Sequence, residues 1–332
     1  MNSLASGFDI STDGPLLVIH ATGGASPMSI DEALIESEFR SSGALLLRGF
    51  EFDAHTFKSF AERLCTASVF NDSPNRAVID AASNIQSVDL GVAPFPLHPE
   101  LSREPWRPDV CLFACFDAPS RGGETTVCDG VEIVRRLPPA LVAQMRERAL
   151  LYAQPAAPEV LEYWLGTATP TAEQLASPPP ECPYSFAVFG DRVVRWFSRP
   201  LLHKPMFHEG PAFGNFLFFA RFALGVSNFP LLDDGQPVPS EWVEAARQAA
   251  APVTYALQWR PGDILMLDNS RFMHGRRQIL DPRERKVASF FGYLRFAPPN
   301  EYEPPNAPWR RGPFRPPASN LARARANRFS RN

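Results

Sequence analysis

The sequence of 332 residues lacks long hydrophobic runs, an excess of charge of either sign and a basic leader segment. No apolar run approaches the roughly 18 residues that suggest a membrane-spanning helix, so no membrane association is predicted. The 33 Lys and Arg residues nearly balance the 36 Asp and Glu residues. This balance argues against a dedicated nucleic-acid-binding protein, which normally has a basic domain. Residues 1–11 contain no basic stretch, so we expect no signal peptide and a cytoplasmic location.

The sequence is also poor in cysteine motifs and has no recognisable nucleotide-binding loop. Its five cysteines include no Cys-x-x-Cys pair, and no second pair lies near Cys111 and Cys115 to complete a zinc site. We therefore expect small, reduced core thiols. No Gly-x-Gly-x-x-Gly, phosphate-binding loop or Gly-x-Ser-x-Gly elbow occurs, so nucleotide cofactors and serine-hydrolase chemistry have no support.

Proline and phenylalanine are abundant instead, with 35 and 26 residues, and the many prolines favour turns over long helices. Short apolar segments between Pro, Gly, Asp and Asn clusters predict strands over residues 44–50, 110–116, 184–188, 193–197, 253–258, 263–267 and 287–296. Apolar spacing and capping residues predict helices over 55–65, 129–137, 140–150 and from residue 240. Because regular crossover helices are missing between the strands, we predict a mostly antiparallel β core with helices packed outside it.

Among the six histidines, His98 forms the first candidate metal site, together with Glu100. In an extended strand, residues two apart point to the same face, so this imidazole and carboxylate can converge on one ion. The pair suits Fe(II), Mn(II) or Zn(II). Pro99 cannot donate to a sheet ladder, which places the pair at a strand end or a sheet edge. The spacing alone is a weak signal, since most such pairs are ordinary surface residues.

A second element strengthens the metal hypothesis. Residues 259–276 are typical of a turn, a strand, a loop and a further strand that begins near His274. Arg285 follows eleven residues after His274, just ahead of the predicted strand 287–296. A planar guanidinium binds both oxygens of a carboxylate, so a fixed arginine at this point can hold an acidic ligand. The two segments together predict a third metal ligand and an adjacent anion site.

The order and spacing of several motifs now resemble a known superfamily. The motifs are His98-x-Glu100, Gly122-Gly123-Glu124-Thr125, Gly262-Asp263 with Asp268-Asn269, His274-Gly275-Arg276 and Arg285. Over about residues 44 to 296 the chain resembles the taurine dioxygenase (TauD/TfdA) and clavaminate synthase-like superfamily of Fe(II)/2-oxoglutarate-dependent oxygenases. Glu at the second ligand position, where Asp is commoner, is similar to the clavaminate synthase branch, which includes amino-acid hydroxylases of peptide natural-product pathways.

The resemblance implies a role for each motif residue. His98, Glu100 and His274 are implied as the iron ligands. Thr125 is implied to hydrogen-bond a carboxylate of 2-oxoglutarate, and Arg285 to bind the distal carboxylate. Three ligands on one face leave three positions, enough for a bidentate 2-oxo acid and O2, which favours iron over zinc.

The sequence departs from relatives near the arginine and between the first two ligands. Pro99 stands where relatives often carry Asn, and Glu284 and Lys286 stand where consecutive arginines are common. Arg283 therefore competes with Arg285 for the 2-oxoglutarate role, and the spacing favours Arg285.

The resemblance also implies a fold, an α+β double-stranded β-helix or jelly roll with flanking helices. We expect one oxygenase domain over residues 1–300, in which about 150–255 form an insertion that shapes the substrate pocket and lid. Residues 301–332 are predicted to be a Pro- and Arg-rich extension. This extension either lies solvated on the surface or contacts an acidic partner or a neighbouring subunit.

The implied activity is hydroxylation of an unactivated C–H bond in an amino acid or amino-acid-derived metabolite. The small-molecule substrate is free or carrier-tethered, and natural-product biosynthesis is the expected setting. Desaturation, cyclisation and epimerisation share every motif and stay open. Halogenation is disfavoured, because halogenases of this fold lose the ligand carboxylate that Glu100 provides. A non-catalytic jelly-roll binding protein is the remaining alternative.

Candidate substrate-binding residues come from three further segments. Gln86 and Ser87 lead into the first ligand pair and are candidates for the pocket wall. His203 lies in a segment that usually faces the substrate in relatives, although an ordinary surface loop explains it equally simply. Arg276 follows His274 closely and either supports the ligand or binds a substrate carboxylate.

Overall fold

A computed structural model of the chain describes residues 8–317, which contain seventeen strands and eight α-helices. The strands are β1 (Asp9–Asp13), β2 (Leu16–His20), β3 (Ala44–Arg48), β4 (Cys65–Ser68), β5 (Val78–Asp80), β6 (Ile85–Ser87), β7 (Phe95–His98), β8 (Val110–Asp117), β9 (Thr125–Asp129), β10 (Ala149–Pro155), β11 (Ser185–Phe189), β12 (Arg192–Pro200), β13 (Leu231–Leu232), β14 (Thr254–Leu257), β15 (Asp263–Asp268), β16 (Phe272–Arg276) and β17 (Lys286–Leu294). The helices are α1 (Glu32–Ser42), α2 (Ala54–Leu64), α3 (Gly130–Arg136), α4 (Pro139–Arg146), α5 (Pro158–Leu165), α6 (Ala172–Ala176), α7 (Leu217–Phe222) and α8 (Ser240–Ala250). None of the helices within residues 8–317 combines the length and apolar character that crossing a membrane requires.

Two sheets enclose the main core. The larger has the strand order β1-β2-β3-β15-β8-β17-β6-β5, with β4 also paired to β17, and the smaller has the order β14-β9-β16-β7. Among these paired strands, β2 and β3 run parallel and the other pairs are antiparallel. Phe113, Leu265 and Phe291 of the larger sheet share one buried cluster with Val127 and Phe272 of the smaller sheet. This arrangement confirms the predicted jelly-roll class.

The central strand β8 shows why its sequence is apolar without alternation. Cys111 and Phe113 face the core between the two sheets. Val110 and Leu112 face a second core, in which α1 and α2 cover the other side of the larger sheet. A strand buried on both faces needs apolar residues at consecutive positions. The uninterrupted run that predicted this strand therefore reflects its central place in the sheet.

Residues 149–250 contain a third sheet and four helices. The sheet has the strand order β11-β12-β10-β13, and β10 and β12 pair over their whole length. Helices α7 and α8 pack with β10 around a separate apolar cluster that includes Leu150, Phe218 and Val243. These elements coincide with the predicted insertion at about 150–255.

One local prediction requires correction, and two elements were missed. The helix expected over 140–150 ends at Arg146, because Leu150 and Tyr152 are buried at alternate positions and pair with β12 as part of β10. Strand β9, which carries Thr125, was not predicted. Helix α1 was also missed, although Asp31 caps its first turn by accepting a hydrogen bond from the Ala33 amide.

The predicted extension from residue 301 is wrong for its first half. Trp309 is fully buried and Phe314 is 6% exposed, and both belong to the main core. The Phe314 amide donates to the Ser68 carbonyl, and Arg310 donates to both carboxylate oxygens of Asp109 at 2.8 and 2.9 Å. The compact fold therefore continues through residue 314. Arg323, Arg325, Arg328 and Arg331 of the predicted tail lie outside the described residues.

Substitution of Trp309 tests this packing. Trp309→Ala removes an indole that lies against Trp106 and Phe314, and we expect the free energy of unfolding to fall by about 3–5 kcal/mol. Tyr302→Ala is the matched control, because Tyr302 is 47% exposed and its loss should change stability by no more than about 0.5 kcal/mol. Denaturant titration followed by circular dichroism measures both. Equal effects of the two substitutions would contradict the packing.

Candidate active site

Strand pairing brings the two predicted histidine ligands together. Strand β7 is the edge strand of the smaller sheet and pairs antiparallel with β16, so that His98 lies directly opposite His274. Their ring centroids are 4.6 Å apart. The predicted position of the first ligand at a strand end and a sheet edge is confirmed, since His98 is the last residue of β7.

Glu100 completes the cluster from just beyond the strand. The side chain of Asn269, which follows β15, accepts a hydrogen bond from the Glu100 amide at 2.7 Å and donates one to the Glu100 carbonyl at 3.0 Å. This clamp fixes the backbone after Pro99 and turns the carboxylate towards the histidines. One potential ligand atom from each of His98, Glu100 and His274 lies within 4.8 Å of the other two. Glu100 is 3% and His274 6% exposed.

The protonation states of the cluster suit a divalent metal. His98 Nδ1 lies 2.9 Å from the Pro96 carbonyl and donates to it, which leaves Nε2 free as a ligand. Burial, reinforced by His274, lowers the pKa of His98 to about 3, so this imidazole is neutral. Burial opposes ionisation of Glu100, but Arg76 and His274 outweigh it and hold the carboxyl pKa below its usual range. Two imidazoles and a carboxylate are the donor set that Fe(II) accepts in non-haem oxygenases.

A cavity next to the cluster contains the predicted 2-oxoglutarate residues. We call it the Thr125 cavity; its walls include Phe113, Thr125, His274, Gly275 and Arg285. Arg285 donates its Nε–H to the Gly123 carbonyl at 3.1 Å. It forms no ion pair with any carboxylate of residues 8–317, so its charge is available to an acidic ligand. Burial, with Arg276 nearby, lowers the pKa of Arg285 to about 10, and the guanidinium stays charged at neutral pH.

The surroundings of Arg283 and Arg285 favour Arg285 for the predicted co-substrate role. The Arg283 side chain is 87% exposed and paired with Asp281 at 2.6 Å. Arg285 instead faces the Thr125 cavity. Gly123 makes room for it: the glycine has a φ of 68°, and a Cβ there would lie 3.1 Å from Arg285 Cδ. The Gly-Gly motif before Thr125 is therefore needed for the position of the arginine.

Three of the four candidate substrate residues lie away from the two cavities at the cluster. The Gln86 side-chain amide donates a hydrogen bond to the Asn71 carbonyl and accepts one from the Asn71 backbone amide. Ser87 Oγ accepts a hydrogen bond from the Ala77 amide. His203 lies beside Arg107 and contacts the Ser270 carbonyl in a separate cavity. The predicted place of Gln86, Ser87 and His203 in the pocket wall is therefore corrected. The side chains of Gln86 and Ser87 bond to backbone groups, and His203 lines a different cavity.

Arg276 does line the Thr125 cavity, but its Nη1 and Nη2 groups donate to backbone carbonyls. Its guanidinium donates to the carbonyls of Asp89, Gly91 and Ala93, the last at 2.9 Å. It also stacks over Phe95, with its Cζ 5.6 Å from the ring centroid. These contacts hold the segment before β7 in place, which is the supporting role weighed for Arg276.

A second cavity at the cluster, which shares Arg76 and His98 with the first, was not anticipated. We call it the Phe216 cavity; its walls include Asn71, Arg76, His98, Glu100, Phe216 and Phe219. Asn71 donates its amide to Glu100 Oε1 at 2.6 Å, and Arg76 donates to Glu100 Oε2 at 3.2 Å. No sequence pattern distinguishes these two residues, since they lie in a turn-rich segment between β4 and β5 that has no regular periodicity.

Comparison with known proteins now identifies the class. A profile of the family described as "Taurine catabolism dioxygenase TauD, TfdA family" matches residues 19–289, well over half of the chain. The chain belongs to this family. The TauD/TfdA family assignment agrees with the resemblance seen in the motifs, and the predicted dependence of the oxygenase on iron and 2-oxoglutarate is confirmed.

Individual relatives of this TauD-family oxygenase are distant. The dapdiamide synthesis protein DdaC of Enterobacter agglomerans is 24% identical over 306 residues, covering 80% of this chain and 89% of DdaC. A clavaminate synthase-like protein of Arabidopsis thaliana is 23% identical over 282 residues, covering 77% and 83%. PvcB of Pseudomonas aeruginosa, described as an Fe, alpha-ketoglutarate dependent oxygenase from an isonitrile synthetic pathway, has the same fold. It superposes with a TM-score of 0.54 at 16% identity, covering 88% of this chain and 94% of PvcB.

Removal of each ligand should abolish metal binding. We expect His98→Ala, Glu100→Ala and His274→Ala to lose stoichiometric Fe(II) with little change in the circular dichroism spectrum, because each deletes one of three donors. His203→Ala is the control: it removes a half-buried histidine outside the cluster and should keep the metal. Anaerobic Fe(II) titration measures the outcome. Full metal binding by a ligand variant would disprove the assignment.

The two candidate arginines give a matched test of the co-substrate site. Arg285→Ala should raise the KM for 2-oxoglutarate by about 10- to 100-fold, because it deletes charge-assisted hydrogen bonds to a carboxylate. Arg283→Ala should leave that KM within about twofold, since its guanidinium is exposed and paired with Asp281. Succinate release at varied 2-oxoglutarate concentrations distinguishes them. A larger increase in this KM for Arg283→Ala than for Arg285→Ala would assign the distal carboxylate to Arg283.

Proposed function

We propose that this oxygenase hydroxylates an unactivated C–H bond of an amino acid or amino-acid-derived small molecule in natural-product biosynthesis. The observation that carries the proposal is the complete cluster of His98, Glu100 and His274, with Arg285 in the adjoining cavity. The name of DdaC places that relative in dapdiamide synthesis, and PvcB is described as part of an isonitrile synthetic pathway. Both descriptions favour a biosynthetic role for this chain.

The residues of the chain supply positioning and exclusion of water. His98, Glu100 and His274 would hold the iron, which when loaded with 2-oxoglutarate and O2 supplies the oxidising power for C–H cleavage. Arg285 binds the distal carboxylate of 2-oxoglutarate as a bidentate partner. Thr125 Oγ1 accepts a hydrogen bond from Trp259 Nε1 at 3.0 Å, which directs its own proton towards a carboxylate in the cavity.

The Phe216 cavity gives the substrate an apolar wall. Phe219 lies 5.3 Å from the His98 ring and 5.2 Å from Phe95, measured between centroids, and Phe216 lies 5.3 Å from Phe219. Phe219 belongs to α7 and Phe216 directly precedes it, so both rings come from the insertion. They keep water from the metal ligands on that side and leave a non-polar surface for the substrate.

The carboxylate ligand favours hydroxylation over halogenation. In halogenases of this fold the carboxylate position is vacant so that a halide binds the metal. Glu100 instead occupies that position, with its backbone and both carboxylate oxygens fixed by Asn269, Asn71 and Arg76.

A succinate-release screen over free and carrier-bound amino acids tests the proposal. We expect one group of related substrates to stimulate succinate formation and to yield a product that gains a single oxygen atom from 18O2. The Glu100→Ala variant is the control and should release no succinate. A product that loses two hydrogens without gaining oxygen would replace hydroxylation by desaturation. Stimulation by no amino acid or derivative would refute the substrate class.

A further inference from the structure

We infer that Arg76 binds a free carboxylate of the substrate, so that the substrate of this oxygenase is an apolar acid with an unesterified carboxyl group within a few bonds of the oxidised carbon. The inference rests on the proposed function and deepens it, since it names the recognition element of the same site. It starts from the position of Arg76, which faces both the Phe216 cavity and the Thr125 cavity.

The guanidinium of Arg76 is held firmly at the metal cluster. Its Nη1 donates to Ser289 Oγ at 3.0 Å, its Nη2 donates to Glu100 Oε2 at 3.2 Å, and its Cζ lies 5.1 Å from the centre of the Phe291 ring. The side chain is 8% exposed, and its Nε makes no hydrogen bond with the described residues. A buried, immobilised guanidinium with spare donor capacity is a suitable partner for a planar carboxylate.

The charges around the two cavities leave Arg76 without a dedicated counter-charge. Among the described residues that line them, Asp89 and Glu100 are the carboxylates. Asp89 faces Arg276 at 3.9 Å. Arg103, another cation of the Phe216 cavity, is paired with buried Glu104 at 3.2 Å. Of these two carboxylates, Glu100 is the one that pairs with Arg76, at 3.2 Å.

A divalent ion held by Glu100 would compete with Arg76 for the charge of this carboxylate. If the two negative charges of 2-oxoglutarate were shared between that ion and Arg285, the charges of the site would sum to one excess positive charge. Such a charge would be costly in a site of low dielectric. An anionic group on the substrate balances it, whereas an amide, an ester or a thioester does not.

The surrounding walls define the rest of the substrate. Phe216, Phe219 and Leu224 line the same cavity and suit an apolar body. Because Arg76 contacts a metal ligand directly, a carboxylate bound to it lies close to the metal. The oxidised carbon is then a few bonds from that carboxylate. A substrate tethered to a carrier through the same carboxyl group would lack the charge that Arg76 requires.

The test uses the intact protein loaded with Fe(II) and 2-oxoglutarate without O2. Apolar L-amino acids, their N-acetyl derivatives and the corresponding carboxamides are titrated against the visible charge-transfer band, with calorimetry as a second binding measurement. We expect acids to perturb the band and the matching amides to bind at least tenfold more weakly. Arg76→Gln should weaken binding of the acids at least tenfold and abolish the preference over amides, while the protein still binds Fe(II) and 2-oxoglutarate. Arg76→Lys, which keeps the charge, should restore part of the preference.

Arg103→Gln is the matched comparison, because Arg103 lines the same cavity but is balanced by Glu104. It should weaken acid binding less than Arg76→Gln does. Amides that bind as well as acids, an Arg76→Gln protein with unchanged acid affinity, a larger effect of Arg103→Gln, or no acid that perturbs the wild-type band would each overturn the inference. Acids that bind through Arg76 but are not hydroxylated in air would refute the proposed function and leave this inference intact.

Discussion

The active site depends on the register between β7 and β16. That pairing sets His98 opposite His274, two residues that are far apart in the sequence. Side chains alternate between the faces of a strand, so a slip of one position would turn one imidazole away from the other. The edge position of β7 matters equally, because Pro99 ends the strand and Glu100 leaves the sheet to face the histidines. The Asn269 amide then holds this departing backbone on both sides.

Near the paired strands β7 and β16, the arginines carry more positive charge than neighbouring carboxylates neutralise. Arg285 has no carboxylate partner in the described structure, and Arg76 pairs with the carboxylate of Glu100, a proposed metal ligand. Each guanidinium is instead anchored by neutral groups, the Gly123 carbonyl and Ser289 Oγ. Such anchoring fixes the geometry without satisfying the charge, which is how a protein prepares a site for anionic ligands. The uncompensated positive charge destabilises the free protein, and binding of an anionic ligand would relieve this cost.

The sequence predicted the parts of the site that have a fixed spacing. His98 and Glu100 stand two apart, and His274 and Arg285 follow at a distance that pattern and resemblance both recognise. The strands that carry them were also predictable, because β8, β15 and β17 are buried runs with clear turn signals. The helix expected over 140–150 illustrates a limit: its second half has an alternating burial that appears only once β12 lies beside it.

Residues that act through a loop could not be predicted in this way. Arg76 and Asn71 reach Glu100 from a turn-rich segment whose path is set by tertiary contacts. Conversely, Gln86 and Ser87 were expected at the pocket because they precede the ligand pair in the chain, but their side chains hydrogen-bond to the backbone of that same turn-rich segment. Proximity to a ligand in the sequence therefore does not predict which loop residues line the pocket, since the direction of a side chain depends on which backbone groups need hydrogen-bond partners.

Arg310, near the end of the described residues, braces the candidate metal site through Asp109 and Asn269. Arg310 holds Asp109, whose carboxylate accepts a hydrogen bond from the Leu294 amide and whose carbonyl accepts one from the Asn269 amide. The same Asn269 clamps the backbone of a metal ligand. This bracing of the candidate metal site joins Asp109 to a residue far along the chain. Contacts of such long sequence separation carry a high entropic cost of loop closure, so we expect the bracing to form later in folding than local contacts do.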